Sequence, residues 1–274
     1  MKAIVIVLVN YKKEQELVSF VQSFIATQHY QSLHLILVDN GSIAPEVLQK
    51  FAVGKQIDLL VPGQNLGYVG AAHLALNHYL AIHQNNFPDH FIISNFDLSF
   101  DPNQFFDKMI ECIDTSKVAV AGPDIISSLN GAALNPMYSK RLSNIHLNRL
   151  IHVTSHYGMF YLYQLLHYAK RKLSVKAARS QSSVENAYAV HGSMMILSKS
   201  FFEGGGSLHF ESFLYGEEIF IAEQCRKLGL SSKVFHELKV IHHEHSTTGN
   251  IKNRMHMKFL NASLKYIKSK FYND

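Results

Sequence analysis

The chain has 274 residues, with 26 Lys and Arg against 21 Asp and Glu, two cysteines, no tryptophan and a formal net charge of +5. At 47% hydrophobic and 17% charged residues, it is neither a disordered chain, nor a disulfide scaffold, nor a collagen-like fibre. Its length suits one large α/β domain, or a domain with an appendage, and allows a substantial core. Cys112 and Cys225 lie far apart in helix-like sequence and read as small apolar groups rather than a bridge or a metal site. That points to a reducing compartment.

Residues 3–9 (AIVIVLV) form a β-branched run, as in a strand buried on both faces. The run ends in Asn10-Tyr11-Lys12-Lys13 with no small-residue cleavage site, so it reads as a first strand and not a signal peptide. Residues 14–28 carry Leu17, Val18, Val21, Phe24 and Ile25 at helical spacing. Residues 33–38 predict a second strand, closed by the turn Asp39-Asn40-Gly41-Ser42. A short helix follows over Pro45 to Phe51, then a third strand over 57–61, stopped by Pro62-Gly63. Residues 68–84 are Ala-rich and helical, 90–95 predict a fourth strand, and 102–113 a helix with proline in its first turn. Residues 117–121 predict another strand before Gly122-Pro123. This alternation predicts an α/β fold with a mostly parallel sheet covered on both faces.

The second half differs. From Ile125 to Val184 there is no Asp or Glu, while Lys140, Arg141, Arg149, Lys170, Arg171, Lys172, Lys176 and Arg179 supply positive charge. Within it, residues 150–169 lack Lys and Arg and are rich in Tyr, Leu and Phe. Two readings stand: a solvated basic helix pair packed on the sheet through its aromatics, or an interfacial segment meeting an anionic membrane. Nucleic acid fits less well, because the aromatics form one apolar block and no nucleic-acid motif accompanies them. Residues 187–197 return to strand-like sequence, 216–228 are helical, 233–242 are strand-like, and 251–271 predict a basic C-terminal helix. No stretch is a convincing membrane span, and the expected location is the cytoplasm.

Ligands of parallel α/β sheets bind beyond the carboxyl ends of the strands. The polar residues at that edge are Asn10, Asp39, Asn65 and Asp97. Asp97, after Ser94-Asn95-Phe96, reads either as a helix cap or as a carboxylate holding Mg2+ or Mn2+, with diphosphate oxygens and water as the other ligands. There is no Walker A motif and no GxGxxG after the first strand, so P-loop and hydride-transfer chemistry fit poorly.

Taken in order, the motifs resemble glycosyltransferase family 2, a GT-A fold, and its bacterial rhamnosyltransferase-like branch. The resemblance is carried by Val9-Asn10-Tyr11, Val38-Asp39-Asn40-Gly41-Ser42, Asn65-Leu66-Gly67-Tyr68, Asn95-Phe96-Asp97 and Gly192-Ser193-Met194-Met195-Ile196-Leu197. Phe213-Leu214-Tyr215-Gly216-Glu217-Glu218 with Arg226-Lys227-Leu228-Gly229, and Val240-Ile241-His242 with Ser246, complete it over roughly residues 3–246. The sequence departs from the family at Asn95, where aspartate is usual, and at His73, Ala75, Phe220 and the Glu217-Glu218 pair.

The resemblance implies one GT-A domain: a Rossmann-like sheet flanked by helices, with a basic helical insertion. Residues 1–124 would form the nucleotide-sugar half, 125–184 the insertion, and 185–274 the acceptor and catalytic half. It implies a metal-dependent inverting transfer from a UDP- or dTDP-sugar, with Mg2+ or Mn2+, to a glycan or polyprenyl-diphosphate-linked acceptor. The setting would be cell-surface polysaccharide or O-antigen assembly, on the inner face of the membrane. Glu218 is the expected base and Glu217 the runner-up or a hydroxyl anchor; both also suit the acidic first turn of a helix. Asp97 is the expected metal ligand. His242 is a further ligand or a phosphate contact, with His243 and His245 close enough to compete. Asn10, Asp39, Asn65, Gly67, Asn95 and His191 are expected around the donor. The other class of function is a catalytically weak nucleotide-sugar-binding scaffold at the membrane surface.

Overall fold

A computed structural model describes residues 2–26, 33–173, 184–243 and 254–272. Its centre is a nine-stranded sheet. Strands β1 (Ile4–Asn10), β2 (Leu33–Asp39), β3 (Ile57–Leu60) and β4 (His90–Ser94) run parallel in the order β3-β2-β1-β4. Helices α1 (Glu14–Ile25), α2 (Pro45–Ala52) and α3 (Tyr68–Ile82) make the crossovers between them. β5 (Leu98–Ser99) and α4 (Pro102–Ser116) lead into β6 (Val120–Ser127). The second half adds β7 (Val184–Asn186), β8 (Met194–Ser198) and β9 (Ser232–His242) to the same sheet. β8 lies antiparallel between β4 and β6, β6 and β9 pair in parallel, and β5 and β7 pair antiparallel with β9.

Alternation along the buried strands builds two cores. Ile4, Ile6 and Leu8 pack under α1 and α4 with Leu17, Val21, Phe24, Phe106 and Met109. Val5 and Val7 face the other way, into Ala71, Ala72 and Ala75 of α3 and Phe220 and Ile221 of α8 (Glu217–Leu228). The alanines of α3 let its backbone approach the sheet closely. The remaining helices are α5 (Asn144–Ser155), α6 (Tyr157–Leu173), α7 (Lys199–Glu203) and α9 (Arg254–Phe271).

Three expectations differ in detail. The strand expected at 117–121 continues through Gly122-Pro123 to Ser127, because the register against β9 shifts between Pro123 and Asp124 and a proline without an N–H fits at such a break. Of the strand-like stretch 187–197, only the part from Met194 is strand, as β8; 187–193 is a loop between it and β7. The helix pair α5–α6 packs on α9 rather than on the sheet: Asn261 Nδ2 donates 2.8 Å hydrogen bonds to the Ile151 carbonyl and to Thr154 Oγ1. The sheet face beneath is already covered by α3 and α8.

One buried charge ties the parts together. Glu223 on α8 is fully buried and accepts from Arg141 Nε (2.6 Å), Arg226 Nε (2.9 Å) and the Tyr188 hydroxyl (2.5 Å). Burial pushes its carboxyl up, and these hydrogen bonds outweigh that and hold it below its ordinary value. Arg141 also lies over the Tyr272 ring, 4.0 Å from its centroid.

Candidate active site

The ends of β1 and β2 carry a polar knot. Asn10 and Asp39 are register partners, fully and nearly fully buried. Asn10 Nδ2 donates to Asp39 Oδ1 (3.2 Å) and Ser42 Oγ (3.0 Å), and the Ser42 hydroxyl donates to Asp39 Oδ1 (2.7 Å). Next to them, Asn40 accepts from Leu66 N and donates to the Gly67 carbonyl, both at 2.9 Å. Asn65 Oδ1 accepts from Gly67 N (2.9 Å), so this side chain closes its own loop. Gly67 has φ 74°, and a Cβ there would fall 1.9 Å from the Phe213 carbonyl oxygen. Only glycine lets the 65–68 loop meet the acidic 213–218 loop.

Asp97 and His242 are far apart in sequence. The β5–β9 pairing sets Leu98 against His242, and His243 N donates to the Asp97 carbonyl at 2.8 Å. This brings Asp97 Oδ1 to 3.2 Å from His242 Nε2, with both side chains largely buried. The His191 ring stands 5.9 Å from that of His242, edge to face. His191 Nδ1 pairs with Ser193 Oγ at 2.9 Å, and its backbone N donates to Asn135 Oδ1 at 2.8 Å. Asn95 N donates to the Ser193 carbonyl at 2.8 Å, joining the end of β4 to the loop that carries His191. His243 Nε2 turns instead to Ser99 Oγ (2.9 Å). His245 and Ser246 lie outside the described residues.

The acidic pair opens α8. Tyr215 (φ 70°) and Gly216 (φ 84°) both adopt the left-handed conformation, which turns the chain into the helix. Glu217 is 7% exposed, and its Oε1 accepts from Tyr215 N at 2.8 Å. Burial, then the charge of Glu218, pushes the Glu217 carboxyl up. Glu218 is less buried and lies over Gly192: a Cβ at 192 would sit 2.6 Å from Glu218 Oε1. The Tyr68 hydroxyl, at the start of α3, is buried and has no hydrogen-bond partner among the described residues. Burial raises it, and so do the charges of Glu217, Asp97 and Glu218.

These contacts form a chain: Asp97 to His242, His242 to His191, His191 to its neighbour Gly192, and Gly192 to Glu218, with Tyr68 in the field of Asp97 and Glu218. Asn10, Asp39, Asn65 and Gly67 line the same strand-end edge. Sequence reasoning passed over Tyr68 and the space requirement at Gly192. Their signal was present, since both fall inside quoted motifs, but a buried hydroxyl and a missing Cβ acquire meaning only through long-range neighbours. Among the described residues no group of three His, Cys, Asp or Glu side chains is placed to hold a metal. Asp97 and His242 suit a hard cation that takes its remaining ligands from a diphosphate and water.

A family model described as glycosyl transferase family 2 matches residues 4–178. Nothing among curated proteins matches the chain significantly. Its fold is similar to a structure of GalNAc-T7 with UDP, GalNAc and Mn2+, at TM-score 0.58 and 14% identity over 88% of this chain and 43% of that one. It is also similar to the mannosyltransferase PcManGT from Pyrobaculum calidifontis in complex with GDP-Man and Mn2+, at TM-score 0.52 and 11% identity over 88% of this chain and 56% of that one. A mycobacterial protein matches at TM-score 0.56 and 15% identity, over 99% of this chain and 75% of that one. The chain thus spans about half the length of the first two.

Proposed function

Since the chain belongs to glycosyl transferase family 2, we propose that it is a metal-dependent inverting glycosyltransferase using a UDP- or dTDP-sugar, with Glu218 as base and Asp97 as metal ligand. The observation that carries this reading is the run of contacts from Asp97 to His242 (3.2 Å), from the His242 ring to that of His191, and from the adjoining Gly192 to Glu218. Solved structures of like fold contain nucleotides or a nucleotide sugar with Mn2+.

The acceptor hydroxyl attacks the anomeric carbon as the carbon–oxygen bond to the β-phosphate breaks, and its proton passes to Glu218. Two adjacent carboxylates resist carrying two charges. Glu217, buried beside the charge of Glu218, is the member pushed toward protonation, despite the hydrogen bond from Tyr215 N that favours its charged form, which leaves the more exposed Glu218 as base. A positioned base of this kind contributes about 10²–10⁴-fold. Mg2+ or Mn2+ held by Asp97 and His242 would neutralise the charge developing on the leaving diphosphate. Asp39 and Asn10 form the nucleoside end, with Asn65, Gly67, Asn95 and His191 around the diphosphate and sugar.

For the acceptor, the reading is a glycan or polyprenyl-diphosphate-linked glycan of cell-surface polysaccharide assembly, met at an anionic membrane face. No helix among the described residues is long and apolar enough to cross a membrane. α6 instead exposes Leu162 (57%), Leu165 (41%) and Leu166 (63%) at helical spacing, just before the sequence Lys170-Arg171-Lys172, whose side chains lie outside the described residues. An apolar stripe beside basic residues suits an interfacial helix. Binding to vesicles of phosphatidylglycerol and phosphatidylcholine should fall with salt and with Leu162→Asp and Leu166→Asp. Equal binding by that double variant contradicts the membrane reading.

The test of the reaction class is thermal shift against UDP- and dTDP-sugars with and without Mn2+, because a ligand of the native state raises Tm. A shift that needs both sugar nucleotide and Mn2+ is expected. Absence of any shift across the panel contradicts it.

A further inference from the structure

Resting on the glycosyltransferase reading, we infer that Tyr68 is a substrate-binding residue whose hydroxyl donates a hydrogen bond to a hydroxyl of the transferred sugar. Tyr68 opens α3 immediately after Gly67, and Gly67 is in backbone contact with Phe213 of the acidic loop. Asn40 clamps the loop from below through Leu66 N and the Gly67 carbonyl. The backbone that carries Tyr68 is therefore fixed from two sides, while its hydroxyl has no hydrogen-bond partner among the described residues.

A buried hydroxyl without a partner costs stability and is rare in a settled core. Here it sits within the field of three carboxylates, Asp97, Glu217 and Glu218. Ionised carboxylates only accept hydrogen bonds, so they offer the substrate no donor. Burial, and then the surrounding negative charge, keeps the phenol protonated and thus a donor. Transfer requires the sugar to lie between the leaving diphosphate, on the Asp97 side, and the acceptor hydroxyl, on the Glu218 side. Tyr68 directly follows Gly67, whose backbone meets the loop leading to Glu218, and this contact sets the phenol beside the acidic pair. The ligand class is a hexose hydroxyl, which both donates and accepts, and Tyr68 offers it a donor beside the carboxylates Asp97 and Glu218. A site built to hydrogen-bond a hydroxyl rejects analogues without it, because its own polar group is then left unpaired.

Tyr68→Phe removes only this oxygen. Calorimetry in Mn2+ compares UDP with UDP-glucose and UDP-galactose, and dTDP with dTDP-glucose, on both proteins. Wild type is expected to bind a sugar nucleotide more tightly than its bare nucleoside diphosphate. Tyr68→Phe is expected to lose that increment, about tenfold in affinity, while binding the diphosphate normally. The Tm of the unliganded variant should equal or exceed that of wild type. An increment retained in Tyr68→Phe overturns the inference alone, as does a Tm lowered by several degrees, which would reveal a structural role. Wild type that binds no nucleotide in the panel overturns the glycosyltransferase reading itself.

Discussion

The Glu218 carboxylate rests against the Gly192 backbone, where a Cβ would come within 2.6 Å of Oε1. The neighbour in the way is the far end of a flexible side chain, so the fold can yield by moving Glu218. Gly192→Ala should therefore leave Tm within a few degrees of wild type and lower donor turnover by about tenfold or more, since small misplacement of a reacting group is costly. Circular dichroism melting paired with a turnover assay checks both halves. Turnover at the wild-type rate would show that Glu218 need not hold this position.

Glu217 gives a pH-dependent prediction. Its carboxyl is raised in the folded protein from an ordinary value of 4.5, so the native state binds more protons than the unfolded chain above that pH. Stability contributed by the protonated form is fully present below about 4.5 and is lost as pH rises toward the folded value. Glu217→Gln mimics the protonated side chain and keeps an acceptor for Tyr215 N. Its Tm should match wild type in acid and exceed it increasingly toward neutral and alkaline pH. Parallel Tm curves across that range would contradict the assignment.

Arg141 and Glu223 predict a stability effect at a distance from the chemistry. Arg141→Ala leaves a fully buried carboxylate with Arg226 and Tyr188 as its remaining partners in the cluster and should cost about 3 kcal/mol. Chemical denaturation measures it. A loss below about 0.5 kcal/mol would mean that Arg226 alone compensates the charge.

Asp97 predicts a metal effect. Asp97→Asn keeps the side chain's shape and removes its charge. Affinity for a nucleotide sugar in Mn2+ should drop about tenfold or more, the worth of roughly 1.4 kcal/mol, while affinity in EDTA stays as in wild type. Equal affinities in Mn2+ would remove Asp97 from the metal site.

Much of this was legible in the chain. Strands β1 to β4 announce themselves as apolar runs ended by polar turns, and α1 and α3 between them by apolar spacing and alanine content. Where β6 continues past Gly122-Pro123 was not legible, because the bulge that absorbs the proline is set by its partner β9. The docking of α5 and α6 on α9 was equally hidden: it depends on which sheet faces other helices have already covered. At the site, the residue types and their order could be read, but not their mutual approach. Asp97 meets His242 only through the register of β5 on β9, and Tyr68 enters the carboxylates' field only because Gly67 admits the 213–218 loop.

The most direct measurement is donor turnover, with sugar release followed in Mn2+ by Glu218→Gln and by wild type. The account predicts a loss of about 10²–10⁴-fold in kcat, with affinity for the nucleotide sugar unchanged. Wild-type turnover by Glu218→Gln would contradict it.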